Sequence, residues 1–174
     1  PSLNGVDLSG CTLAEKDKIR LAMGVAVLQI INHLQDCQQD YRNLDRVYVP
    51  LDALAAAGSS VEALDQPRAS PQLLACLHGL AERTSIMLED GSALPAQIND
   101  WRLSLEISAI VTLARHFLQL LQNRDPLSER VRLGKYGVAA VGALGVAKGL
   151  FGRLARAPGS ISRLTADERR RRTD

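Results

Sequence analysis

Apolar positions recur with a helical period along most of this chain, and the punctuation between them divides it into a small number of elements. Thr12, with Glu15 three residues later, forms a capping-box signature ahead of a pattern that stays helical over residues 13–40, an unusually long first helix. Residues 41–49 (YRNLDRVYV) break the period. Pro50 suits the first position of a short helix over 51–57 that Gly58 stops. Residues 58–70 read as loop with one helical turn. Ser70 and Pro71 then open a helix to about residue 90, ended by Gly91, and Pro95 precedes another over 96–123. Asp125 and Pro126 make a cap-and-start pair for a short turn, and 135–150 forms a weaker helix loosened by glycine. Runs of alternating β-branched residues and internal repeats are both lacking, so the predicted fold class is all-α. The expected layout is an irregular lead-in over 1–12, a helical domain over 13–152, and a basic tail over 153–174 that is flexible or at most weakly helical.

At 174 residues, with 46% apolar and 23% charged side chains, the chain has the usage of a folded domain, which excludes global disorder and a collagen-like fibre. Six aromatic residues are too few for stacking platforms, so no nucleic-acid partner is expected. The net charge of +2 is uneven. Residues 153–174 hold seven basic and three acidic side chains, against 14 and 16 in the rest. That tail predicts weak association with a membrane surface. Cys11, Cys37 and Cys76 form no CxxC pair, so neither a zinc site nor a disulfide framework is indicated, and a reducing compartment fits. Residues 1–10 show no secretory pattern, and 137–151 are too short and glycine-rich for a membrane span. The expected location is therefore cytoplasmic, peripheral at the inner face of the membrane.

The chemically informative segment is QIINHLQDCQQD, residues 29–40. At 100° per residue, Gln29, Asn32, His33, Asp36 and Asp40 share one helix face, while Met23, Val27, Leu28, Ile30, Ile31 and Leu34 fill a broad apolar sector. Two carboxylates four residues apart repel and cost an isolated helix about 0.2–0.5 kcal/mol. The chemistry that favours this spacing is hard-cation binding: two oxygens one turn apart suit Mg²⁺ whose other ligands are water and substrate phosphates. A solvated acidic helix end is the plain alternative. No HxxxH or HxxE pattern links His33, His78 and His116, so they are read as structural, and Ser85, Ser104 and Ser108 have no base beside them.

The run QIINHLQDCQQDYRNLDRVYVP resembles the second aspartate-rich region of the squalene/phytoene synthase family, roughly Q-x-x-N-x-x-R-D-x-x-x-D/E followed by R-x-Y-L-P. Gln29, Asn32, Asp36, Asp40, Arg46, Tyr48 and Pro50 match. The segments CLHGLAERTSIMLEDG and NRDPLSERVRLGK are similar to bacterial hopanoid-type squalene synthases more than to the phytoene enzymes. Gln35 stands where the pattern has Arg, and the loop from Asp40 to Arg46 is one residue longer. The 28 residues before Gln29 contain nothing like the family's other aspartate-rich helix, so the chain looks like the C-terminal half of such an enzyme. Asp125 and Glu129 form the other acidic pair at this spacing, with Asp125 better read as a helix cap.

The resemblance implies an all-α, isoprenoid-synthase-type bundle and a head-to-head prenyl synthase. In such an enzyme aspartate-bound Mg²⁺ draws off diphosphate and leaves a carbocation in an apolar cavity. It makes Asp36 and Asp40 the catalytic metal ligands, has Gln29 and Asn32 line the cavity, and gives Arg46 and Tyr48 the task of holding diphosphate at its mouth. The implied substrate is an isoprenoid diphosphate, farnesyl or presqualene, in hopanoid or related triterpene synthesis. A chain lacking the other aspartate helix is expected to be incomplete alone and to self-associate through uncovered apolar faces. The reading from another class is a noncatalytic helical module that binds a partner protein or a membrane surface.

Overall fold

Thr12 closes the capping box the sequence predicts, accepting from the Glu15 N–H while the Glu15 carboxylate accepts from the Thr12 N–H at 2.8 Å. The computed structural model describes residues 2–3, 6–7, 12–92, 96, 98, 100–129, 131 and 134–156. Within the lead-in read as irregular, Ser2–Leu3 (β1) and Val6–Asp7 (β2) pair antiparallel over two residues each. All the longer described elements are helical: α1 (Leu13–Leu44), α2 (Leu51–Ala56), a 3₁₀ turn at Val61–Asp65, α3 (Pro71–Gly91), α4 (Trp101–Asn123) and α5 (Lys135–Arg156). The all-α expectation holds.

Three boundaries differ from the sequence expectation. Helix α1 continues one turn past Asp40, because Tyr41 packs against the core and Arg42 reaches Asp65, with Nε 2.7 Å from its carboxylate. Helix α4 begins at Trp101 rather than residue 96. Asp100 is its cap, its Oδ1 accepting from the N–H groups of Arg102 and Leu103 at 2.9 and 3.1 Å. Helix α5 runs to Arg156, past the helix end expected at residue 150. The tail from 157 onward lies outside the described residues. Elsewhere the expected signals act as read. The Ser70 Oγ accepts from the Leu73 N–H with Pro71 in the first turn, and Gly58 ends the α2 segment at φ 69°.

Helices α1, α3 and α4 pack on one another and α5 packs along α4. The core follows their apolar rows at i, i+4 and i+7 or i+8: Val27, Ile31 and Leu34 from α1; Leu73, Leu77 and Ala81 from α3; Ala114, Leu118 and Leu121 from α4. Leu54 and Leu64 close one end. Arg115 of α4 makes a two-pronged contact with the Glu89 carboxylate of α3 at 2.7 and 2.9 Å, which holds that carboxyl below its ordinary range. By length and composition alone α4 is apolar enough to cross a membrane, but α3 and α5 both pack on it.

The α4–α5 seam is unusually close. A methyl group built on Gly145 would fall 2.6 Å from the Ala109 Cα and 2.8 Å from the Ser108 carbonyl oxygen, and one on Gly149 would meet Leu105 and Ser108 at 2.9 Å. Glycine is what allows these backbones to approach. Opposite them, the Ser108 and Thr112 hydroxyls donate to the carbonyls of Ser104 and Ser108, four residues earlier on their own helix.

Candidate functional site

The polar stripe of α1 is brought into a site by the turn that follows it. Asp45 adopts the left-handed conformation (φ 51°, ψ 44°), which Asp tolerates better than bulkier residues, and its N–H bonds the Asp40 carbonyl. The Arg46 N–H donates to the same carbonyl at 3.1 Å. The chain thereby reverses around the end of α1, and residues 46–49 come back beside the helix. Val49 is buried in the core and fixes the returning strand of chain.

That reversal lays the Tyr48 ring on the His33 imidazole, with centroids 3.8 Å apart and planes 19° from parallel. Arg46 Nη1 stands 3.4 Å from the Tyr48 hydroxyl. On its other side, His33 Nδ1 lies 3.8 Å from an Asp40 carboxylate oxygen, an ion-pair distance if the ring is protonated but too long for a hydrogen bond. Nδ1 is buried and has no hydrogen-bond partner among the described residues. Arg46, Tyr48, His33 and Asp40 thus form one connected row across the polar stripe. Asp36, one turn before Asp40 on the same face, is half-buried. Gln29 and Asn32 lie further along that face and are exposed, outside the residues lining the two cavities described next.

Beside the row opens a cavity of about 230 Å³ walled by Ile30, Leu34, Leu80 and Met87, with His33, Tyr48, Arg83 and Thr84 at its polar edge. Met87 also lines a second, apolar cavity of about 160 Å³ between α1, α3 and α4, bounded by Val25, Leu28, Ile107 and Ile110. The site is therefore bounded by polar side chains on one side and by apolar ones beneath.

Two participants were not assigned roles from the sequence. His33 is read there as structural, yet it joins Asp40 to Tyr48. Arg83 belongs to the segment CLHGLAERTSIMLEDG, whose family likeness was the available signal. Gln35, the residue standing in place of the pattern's Arg, donates from Nε2 to the Val131 carbonyl at 2.8 Å and so ties α1 to the segment after α4. Asp125 acts as the cap it was read to be. Its carboxylate accepts from the Leu127 and Ala69 N–H groups at 2.9 and 3.0 Å and from the Ser128 hydroxyl at 2.6 Å. His78 meets the Arg124 carbonyl at 3.1 Å, a structural role. Cys37 and Cys76 are buried free thiols, and burial pushes the Cys37 thiol up to about 12.

Among the described residues no group of three His, Cys, Asp or Glu side chains is placed to hold a metal ion. Asp36 and Asp40 are hard oxygen donors on one face, which fits a cation that draws its other ligands from water and phosphate rather than from a closed protein cage.

Comparison with known proteins agrees with this architecture. Residues 12–137 match the family described as squalene/phytoene synthase. A hydroxysqualene synthase of Rhodopseudomonas palustris is 54% identical over 121 residues, 68% of this chain and 41% of that protein. A hydroxysqualene synthase of Sinorhizobium fredii is 45% identical over 133 residues, 74% of this chain and 45% of its own length. A third, from Zymomonas mobilis, is 40% identical over 121 residues, covering 68% of this chain and 41% of the relative. The chain thus spans less than half the length of these curated relatives. No solved structure matches it significantly. With the family match covering most of the chain, and with the aspartate stripe, the returning Arg-x-Tyr segment and the apolar cavity in one place, this chain belongs to the squalene/phytoene synthase family.

Proposed function

We propose that this chain carries the second aspartate-bearing half of a head-to-head prenyl synthase acting on an isoprenoid diphosphate, farnesyl or presqualene, in hopanoid or related triterpene synthesis. The observation that carries the reading is the row Asp40, His33, Tyr48, Arg46 at the edge of an apolar cavity. The hydroxysqualene synthases it resembles support the same chemistry.

Asp36 and Asp40 would hold Mg²⁺ together with diphosphate oxygens and water. The chemistry Mg²⁺ supplies when bound is charge neutralisation on the departing diphosphate. Arg46, exposed at the mouth, offers a planar fork that pairs two phosphate oxygens at once, and the Tyr48 hydroxyl beside it adds a third contact. Ile30, Leu34, Leu80 and Met87 receive the hydrocarbon chain and exclude water from it. Since ionisation in this family draws on carboxylates from two helices, the 174-residue chain by itself is proposed to bind diphosphate without completing the reaction.

Calorimetry with an unreactive farnesyl diphosphate analogue tests this. In Mg²⁺ the wild type should bind about tenfold or more tightly than Asp36→Asn or Asp40→Asn, and chelator should abolish the difference. Incubation with farnesyl and presqualene diphosphates should release no diphosphate. Equal binding by all three folded proteins would remove the ligand assignment and leave a noncatalytic helical module. Turnover would show that the 174 residues suffice.

A further inference from the structure

Leu80, Arg83, Thr84 and Met87 share one face of α3. With Leu80 at zero, the other three fall at about 300°, 40° and 340°, and all of them line the cavity of about 230 Å³ beside the His33 and Tyr48 rings. Among the described residues no carboxylate belongs to that lining. Its other polar groups are already engaged. The buried Thr84 donates its hydroxyl proton to the Leu80 carbonyl at 2.7 Å. The Tyr48 hydroxyl meets Arg46, and His33 Nδ1 faces Asp40. The Arg83 guanidinium, a planar fork of N–H donors, makes no hydrogen bond or ion pair among the described residues.

Arg83 also borders a more open cavity of about 370 Å³ between α2 and α3, together with Leu80 and Asp52. Asp52 does not neutralise it there. The Asp52 Oδ1 accepts from the Ala53 N–H at 2.9 Å, and no ion pair joins the two side chains. The exposed Arg83 therefore stands at the junction of the two cavities, on the rim of the apolar one. A guanidinium left unneutralised at such a rim supplies what an occupant with an anionic head and a hydrocarbon body requires. Arg46 reaches the same rim at Tyr48, from the segment that returns after α1.

We propose that Arg83 is a second diphosphate-binding residue, its fork taking one phosphoryl group while Arg46 takes the other, so that guanidiniums from two different elements bracket the head. A planar fork pairs two oxygens of one phosphoryl group, and a head with two such groups accommodates two forks. The assignment rests on the reading of the site as one for an isoprenoid diphosphate, and it adds a contact from α3 that the aspartate motif of α1 does not contain.

The test is calorimetry on the full chain in Mg²⁺ with two probes: the unreactive farnesyl diphosphate analogue, and farnesol, which has the same hydrocarbon without the phosphates. Arg83→Ala should weaken binding of the analogue by about tenfold or more and leave that of farnesol within about twofold. Arg83→Lys keeps the charge without the fork and should recover part of the loss. Arg68→Ala, which removes an exposed arginine outside both cavities, should bind as the wild type does and so separate a local contact from net charge. Wild-type affinity of Arg83→Ala for the analogue would overturn the assignment. So would an equal loss for farnesol, or the same loss in Arg68→Ala. Failure of the wild type to bind the analogue at all would overturn the proposed function itself, and the part of Arg83 with it.

Discussion

The His33 imidazole and the Tyr48 phenol stack 3.8 Å apart, across the left-handed turn at Asp45. An aromatic contact of this type contributes about 0.5–1.5 kcal/mol beyond burial, and here it also holds the Tyr48 hydroxyl near Arg46. Tyr48→Phe keeps the ring and loses the hydroxyl. Its unfolding free energy should stay within about 0.5 kcal/mol of wild type while affinity for the diphosphate analogue falls several-fold. Tyr48→Ala should lose affinity and about 1 kcal/mol of stability together. Urea melts and calorimetry on the two variants separate the contributions.

The glycines of α5 make opposite predictions within one helix. Among the described residues nothing lies within 4 Å of a methyl group added at Gly142, so Gly142→Ala should stabilise by up to about 1 kcal/mol through helix propensity. At Gly145 the same methyl meets the Ala109 backbone at 2.6 Å, and backbone cannot rotate away as a side chain can. Forcing the helices apart costs about 1–3 kcal/mol, more than propensity returns, so Gly145→Ala should be net destabilising. Thermal melts of the two variants should move in opposite directions.

Asp125 makes stability depend on pH. Burial would push its carboxyl up, but the Ser128 hydroxyl and the N–H groups of Leu127, Ala69 and Ser128 outweigh that and hold it below its ordinary 3.8. A lowered folded value means that the stabilisation is fully present above about pH 4 and is lost as pH falls through the folded value. Asp125→Asn has no such group to protonate. It should be less stable than wild type at pH 6 by about 1–3 kcal/mol, and the gap should narrow in denaturant melts taken toward pH 3.

What could be read in advance follows the range of the interaction. Thr12 and Ser70 act within one turn of their own helices, and their caps were legible. So was the polar face joining Gln29 to Asp40, which follows from helix geometry alone. Pro95 is the stronger start signal in the sequence and Asp100 is the cap that forms, because a proline marks a permitted start whereas the cap depends on which side chain meets the free N–H groups. The extra turn of α1 depends on Asp65, 23 positions after Arg42, and no local signal carries it. His33 illustrates the same limit: alone on a helix it resembles any half-buried histidine. Its neighbour Tyr48 arrives by way of a left-handed Asp45, a conformation that Asp permits without announcing. The motif nominates Asp36, Asp40, Arg46 and Tyr48, but the adjacency of Asp40 to the Arg46 and Tyr48 segment does not follow from it.

The sharing of one carbonyl has a consequence for binding. Asp40 presents its carboxylate to the stripe while its backbone oxygen anchors the N–H groups of both Asp45 and Arg46. The last turn of α1 and the returning segment are therefore ordered together when the chain folds. The conformational entropy of placing the Arg46 backbone is lost then, and little of it remains to be lost on binding the proposed diphosphate. Preorganisation of this sort should leave its mark on the rate of departure more than on the rate of encounter. Loosening the anchor at Asp40 would shorten the residence time of a ligand even if every side chain that touches it were kept.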